Sequence, residues 1–245
     1  MRIFLANMGV FLYLCTQICK LMNLKVIAYA RNGHTDKFGI PRQSRDESPI
    51  LTRIVFEPEY NVAEALRGID GYSHLWLIWG FSEVQSGKAQ NGEEWSPTVR
   101  PPRLGGNKRM GVFATRSPFR PNPIGLSSVR LIEVKNGELI VSGADVLDGT
   151  PIYDIKPYLS FSDSHPEAKN GFAEETKDRE LEVDWSLVGN TASKKAEMEY
   201  ILRQDPRPGY QNDPEREYKM DYAGLRVTFK VSAKTVIVLK IEQIS

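Results

Sequence analysis

Leu131-Ile-Glu-Val-Lys-Asn-Gly-Glu-Leu-Ile-Val141 is the stretch on which the fold turns. Two apolar-leaning runs, Leu131 to Val134 and Leu139 to Val141, flank Asn136-Gly137. Both turn residues tolerate positive φ, so the stretch reads as a β-hairpin reversing at Asn-Gly. Working outward, further short β-rich runs occupy Leu24 to Ala30, Leu51 to Phe56, Leu75 to Phe81, Val112 to Thr115, Ser127 to Val134 and Leu139 to Val146. In that region only Asn61 to Arg67, with Gly68 behind it, has a helical pattern. Many strands, hairpin links and few helices predict a mainly β fold: a single-sheeted antiparallel β-barrel, closed or nearly so. The repeated βα units of a doubly wound sheet are missing.

From Ser164 to Glu180 the chain turns polar, with Lys169-Asn-Gly171 and a charged run from Glu174. Beyond it the pattern predicts a strand over Leu181 to Val188, a helix from about Thr191 to Gln204, and a hairpin of Leu225 to Val231 with Val236 to Ile241. The expected division is 1–21 as an apolar leader or upstream extension, 22–163 as the barrel, 164–180 as a linker and 181–245 as a small α+β domain. That last unit is near the lower size limit for independent folding.

The chain has 245 residues, 41% of them hydrophobic, which is enough to bury a real core. Its 32 basic and 31 acidic side chains argue against a protein that coats polyanions along its whole surface. The two cysteines, Cys15 and Cys19, supply neither a disulfide framework nor a four-ligand zinc set. His34, His74 and His165 are scattered, so no metal is expected, and a reducing, cytoplasmic setting fits. The leader resembles a signal peptide superficially but lacks a small-residue cleavage site, and it is short for a membrane span. Met22 opens a strand-like run, so an extension upstream of the true start is the preferred reading; a signal or anchor is the other.

Charge is concentrated locally. From Trp95 to Ile132 there are Arg100, Arg103, Lys108, Arg109, Arg116, Arg120 and Arg130 and no Asp or Glu, which leaves the remainder net negative. Prolines and glycines interleave with these guanidiniums. Arginines on stiff turns suit an anionic ligand, because a planar guanidinium binds carboxylate or phosphate in two-pronged fashion. A solvated basic loop is the plain alternative. Nucleotide signatures fail: no Gly-x-Gly-x-x-Gly follows a strand, and Gly87-Lys88 lacks the rest of a P-loop. His74, beside the apolar Leu75-Trp-Leu-Ile-Trp79, reads as a structural histidine rather than a base.

Five segments stand out together: Phe38-Gly-Ile-Pro-Arg-Gln-Ser44, Ser73 through Phe81, the Arg/Pro segment, Asp145-Val-Leu-Asp-Gly-Thr-Pro-Ile-Tyr-Asp-Ile-Lys-Pro-Tyr158, and Asp205-Pro-Arg-Pro-Gly-Tyr210. In that order they closely resemble the TsaA/TrmO-like family of tRNA methyltransferases over residues 24 to 243. The resemblance implies an S-adenosylmethionine-dependent enzyme, a homodimer, that methylates the exocyclic amine of threonylcarbamoyladenosine beside the anticodon of threonine tRNA. Cofactor positions carry over to Pro41, Arg42, Gln43, Ser82, Glu83, Arg116, Leu126, Leu147, Asp148, Gly149 and Thr150. Family members have His-Gln where this chain has Ser82-Glu83.

The chemistry of these residues agrees with that role. Arg116 suits the cofactor's carboxylate. Asp148 accepts hydrogen bonds from amine or hydroxyl groups, and simple turn formation is its plain alternative. Arg100, Arg103, Lys108, Arg109, Arg120 and Asn122 are expected to meet RNA, and Arg207 with Tyr210 to read the modified base through a charged hydrogen bond and stacking. A helix-terminating turn is the plain reading of the latter motif. Asp145 and Asp154 are both open as a general base, and neither is assigned. The alternative function is a noncatalytic RNA-binding β-barrel.

Overall fold

The computed structural model describes residues 24–41, 43–44, 48–81, 96–101, 108–176, 180–188, 194–207, 211 and 213–244. Its strands are β1 (Ala28–Arg31), β2 (Leu51–Phe56), β3 (His74–Gly80), the two-residue pair β4 (Thr98–Val99) and β5 (Met110–Gly111), then β6 (Ile124–Lys135), β7 (Glu138–Ser142) and β8 (Pro151–Pro157). Six of them close into a barrel in the order β1-β2-β7-β6-β3-β8, every neighbouring pair antiparallel. The expected hairpin joins β6 to β7, with Lys135 opposite Glu138 and positive φ at Asn136 and Gly137 (54° and 76°). Along β1 and β3 inward positions alternate with outward ones, as a two-residue period requires. Ala28 and Ala30 face inward with Ile54, Leu75, Leu77, Val129, Leu139, Val141 and Ile152, all fully buried. Small alanines beside branched residues fill a narrow barrel without overpacking.

Topology sends the long connections to one end. The end of β1 lies opposite the start of β2 and of β8, the end of β3 opposite the start of β6, and the end of β7 opposite the start of β2. The β1–β2, β3–β6 and β7–β8 connections therefore share one pole, and the Asn-Gly turn marks the other.

A second sheet follows, in the order β10 (Tyr218–Tyr222), β11 (Leu225–Ser232), β12 (Thr235–Gln243) and β9 (Glu182–Asp184), with β9 parallel to β12. Before it comes the short helix α1 (Ser160–Asp163), and packed in its core is α2 (Lys195–Arg203), which buries Met198, Ile201 and Leu202. That core also takes Ile50 and Phe38 from the β1–β2 connection. Side chains at Gly33 and Gly39 would meet Tyr222 and Met220, so both glycines permit close docking of that connection on β10.

Several expectations are corrected. The helix over 61–67 is a 3-10 turn, Ala63–Leu66, because, of its residues, Leu66 packs against the barrel core and none is fully buried, too little to hold a longer helix. Val112–Ala114 is a 3-10 turn rather than a strand. The strand over 181–188 is confined to Glu182–Asp184, ending where Asp184 accepts the Ser186 N–H and turns the chain. The helix of the second unit is described from Lys195, and its expected start near Thr191 lies outside the described residues. β8 and β10 are strands the sequence pattern did not pick out.

Candidate active site

The pole carrying the three long connections gathers every expected cofactor position that falls within the described residues. Pro41 and Gln43 lie on the β1–β2 connection, Arg116 on the β3–β6 connection, Leu126 near the start of β6, and Leu147, Asp148, Gly149 and Thr150 on the β7–β8 connection. Arg42, Ser82 and Glu83 lie outside the described residues, as do Arg103 and Tyr210.

The Leu147–Thr150 turn is stitched to the end of β1. Ala30 exchanges two backbone hydrogen bonds with it: the Ala30 N–H donates to the Thr150 carbonyl at 2.9 Å and the Gly149 N–H to the Ala30 carbonyl at 2.8 Å. The Asp148 N–H donates to the His34 carbonyl at 2.9 Å, and the Asp148 carboxylate accepts the Asn32 N–H at 3.0 Å. Arg31 stands 3.6 Å from its other oxygen. Asn32 braces the same corner through its side-chain amide, which donates to Thr52 and to the Val146 carbonyl. Gly149 has φ of 77°, a left-handed conformation that only glycine adopts without strain. Asp148 is thus a turn former, and it remains partly open to solvent.

Arg116 is exposed, and its guanidinium donates to the Gln43 side-chain carbonyl. Leu126 points outward from β6 and is 57% exposed. Beneath them lies Asp145, whose carboxylate accepts the Ser127 hydroxyl at 2.5 Å; Ser127 in turn accepts the Trp79 indole N–H at 2.8 Å. Burial raises the Asp145 pKa above the usual carboxylate range, against the opposing hydrogen bond from Ser127 and the nearby charge of Arg116. Gly125 makes this possible, because a side chain there would overlap the Trp79 ring. Asp154 sits along β8 and pairs with Lys156 at 2.7 Å.

The basic residues divide. Arg100, Lys108, Arg109 and Asn122 are exposed. Arg120 is half-buried: its guanidinium donates to the carbonyls of Val112 and Thr115, at 3.2 and 2.8 Å, and stands 5.7 Å from the Phe113 ring. It holds the 3-10 turn and is occupied by the protein itself. Arg207 is a sharper departure from expectation. It is 8% exposed and gripped by Asp205 through Nε at 2.8 Å and Nη2 at 3.0 Å, so its guanidinium is not presented to a ligand. Arg207 instead folds inward against Tyr218, its guanidinium 6.0 Å from the ring.

Sequence reasoning missed Asn32, Ser44, Ser127 and Trp79 as parts of this pole. Asn32-Gly33 carried a turn signal that pointed to it; Ser127 and Trp79 read as ordinary strand positions. Among the described residues no cluster of three or more His, Cys, Asp or Glu is placed to hold a metal, and no helix is long and apolar enough to cross a membrane.

Fold and site together define a single-sheeted barrel protein with guanidinium and carboxylate chemistry at one pole, a class distinct from doubly wound cofactor-binding sheets. Two family models account for most of the chain: the tRNA-methyltransferase O N-terminal domain matches residues 29–164 and the TrmO C-terminal domain matches residues 180–244. The chain belongs to the tRNA-methyltransferase O family. It is 41% identical over 202 residues to the tRNA (adenine(37)-N6)-methyltransferase of Escherichia coli (strain K12), covering 77% of this chain and 83% of that protein. To the protein of the same name from Eikenella corrodens it is 48% identical over 167 residues, 65% of this chain and 91% of that one. It also superposes on a crystal structure of TrmO from Pseudomonas aeruginosa with a TM-score of 0.70 and 30% identity, covering 90% of this chain and 98% of the other.

Proposed function

We propose that the chain is an S-adenosylmethionine-dependent tRNA (adenine-N6)-methyltransferase acting on the exocyclic amine of threonylcarbamoyladenosine, beside the anticodon of threonine tRNA. The observation that carries this reading is the convergence of the family's cofactor positions on one pole of the barrel, next to an acid-free basic segment. The residues there fit the cofactor's chemistry. Arg116, exposed and steadied by Gln43, offers a guanidinium for a carboxylate. The half-open Asp148 accepts from amine or hydroxyl groups, and Leu126 supplies apolar surface.

S-adenosylmethionine, when bound, supplies a methyl group already activated by the positive sulfur. The protein's task is then orientation: in-line displacement needs close, collinear reactants, and a fixed pole lowers the entropic part of that barrier. The exposed Arg100, Lys108 and Arg109 meet RNA phosphates in this reading, with Arg103 and Asn122 beside them in sequence. Arg120 contributes by shaping the turn, and Tyr210 remains proposed as a stacking partner for the base.

The enzyme is proposed to be a cytoplasmic homodimer. Phe113, Phe119, Ile124 and Leu126 are exposed apolar residues close together in sequence, which supports association through this segment. The working division is a barrel over 22–163, a connector over 164–180 and an α+β unit over 181–245; cleavage by a protease confined to the connector checks it.

Calorimetric titration with S-adenosylmethionine, followed by transfer of labelled methyl to threonine tRNA, tests the function. Cofactor binding with methyl transfer supports it. RNA binding without cofactor binding supports the noncatalytic barrel instead.

A further inference from the structure

Asp145 is the point where the pole is tied together. Its carboxylate accepts the Ser127 hydroxyl from β6. Through Ser127 it also reaches the Trp79 indole on β3. The Ser44 hydroxyl donates in turn to the Ser128 carbonyl, closing a second link between the same connection and β6. The two links together join four separate stretches of chain, three of which adjoin an expected cofactor position. Ser44 follows Gln43, Ser127 follows Leu126, and Asp145 precedes Leu147 by two residues. Arg116 completes the arrangement: it donates to Gln43, and its charge acts on Asp145.

We infer that Asp145 is a positioning residue for the cofactor, its carboxylate fixing Ser127 and, through the neighbouring Ser44–Ser128 link, the Gln43–Arg116 pair where the guanidinium meets the cofactor's carboxylate. The inference rests on the cofactor-site reading given above. The carboxylate is already engaged by the Ser127 hydroxyl, itself bonded to the Trp79 indole, which makes it an anchor for the site rather than a base aimed at substrate. Loss of its charge weakens the Ser127 hydrogen bond and removes the attraction that steadies Arg116.

Protonation weakens the same tie. Among the described residues, Arg116 is the charged group acting on Asp145; Ser44, Ser127 and Trp79, the other partners, do not titrate in the working range. The raised pKa brings this loss nearer to neutrality than for an exposed aspartate. Cofactor affinity should accordingly fall as the pH drops toward that range.

The test is a double-mutant cycle on the full chain, reading S-adenosylmethionine affinity by calorimetry for Asp145→Asn, Arg116→Ala and the pair together. Asp145→Asn is expected to weaken binding about tenfold, the size of one charge-assisted hydrogen bond. In the Arg116→Ala background the same change should do almost nothing, because the residue it positions is gone. A readout without cofactor accompanies it: the Trp79 indole resonance in nitrogen-15 NMR should titrate in the wild type and stay fixed in Asp145→Asn. Should Asp145→Asn fail to fold, Ser127→Ala, which keeps the carboxylate and removes one donor, is expected to weaken binding by about threefold or more. Equal losses from Asp145→Asn in both backgrounds would overturn the inference, as would unchanged affinity in Asp145→Asn or in Ser127→Ala. If Arg116→Ala itself leaves affinity intact, the cofactor-site reading falls and takes the inference with it; if only the Asp145 and Ser127 variants are silent, that reading stands.

Discussion

His34 lies where the β1–β2 connection meets the second sheet, and acidification should unlock that junction. The side chain is 1% exposed, its ring is edge-on to Tyr222 at 5.2 Å, and neither ring nitrogen has a protein hydrogen-bond partner among the described residues. The Tyr222 hydroxyl is itself engaged, donating to Glu197 at 3.0 Å. Burial therefore lowers the His34 pKa from 6.5 to about 4. Between those values the unfolded chain binds the proton and the folded chain does not. The associated stability is complete above about pH 6.5 and is lost as the pH falls toward 4. At about 1.4 kcal/mol per pKa unit, the full loss is roughly 3 kcal/mol, most of it spent by about pH 4.5. The perturbation is His34→Leu, which removes the titration and changes packing equally at both ends of the range. Urea unfolding of wild type and variant at about pH 7 and about pH 4.5 gives the difference of differences, in which other titrating groups cancel. The wild type should lose roughly 2.5 kcal/mol more than the variant on acidification. Parallel pH profiles for the two proteins would refute the claim that His34 is buried neutral.

Arg207→Ala should destabilise the fold by about 1–3 kcal/mol, because it leaves the partly buried Asp205 without its two-pronged partner; a normal thermal midpoint with lost methylation would return Arg207 to substrate recognition. Gly125→Ala drives a methyl into the Trp79 ring and should cost about 1–3 kcal/mol in denaturant unfolding, with an unchanged midpoint counting against the packing described. Replacing Lys108 and Arg109 together by Ala should flatten the dependence of tRNA affinity on salt by about one to two released ions while leaving cofactor affinity near wild type. A slope identical to wild type would mean that these exposed charges face solvent in the complex.

Local chemistry was legible where it acted locally. Asn136-Gly137 announced its hairpin because positive φ at two successive residues is a property of those residues alone. β8 escaped because prolines at both ends and Tyr153, Asp154 and Lys156 between them hide any period, and only pairing with both β1 and β3 makes it the strand that closes the barrel. β10 did leave a trace: Tyr218, Met220 and Tyr222 alternate with Lys219 and Asp221, and the buried face follows that alternation. At the site, the turn chemistry of Asp148-Gly149 was readable from residue type, as was the exposed charge of Arg116. The roles of Ser127, Trp79 and Arg207 were not. Each depends on a partner or on burial decided by tertiary packing, and a guanidinium looks the same in sequence whether it faces RNA or an aspartate two residues away.

The most direct measurement supplies the purified full-length protein with S-adenosylmethionine carrying a labelled methyl group and two threonine tRNAs, one bearing threonylcarbamoyladenosine beside the anticodon and one with plain adenosine there. Label should enter the modified tRNA, be located on the exocyclic nitrogen by nucleoside mass spectrometry, and be absent or strongly reduced in the unmodified one. Failure to label either tRNA by a protein that binds S-adenosylmethionine, or label on a different atom, would contradict the assignment.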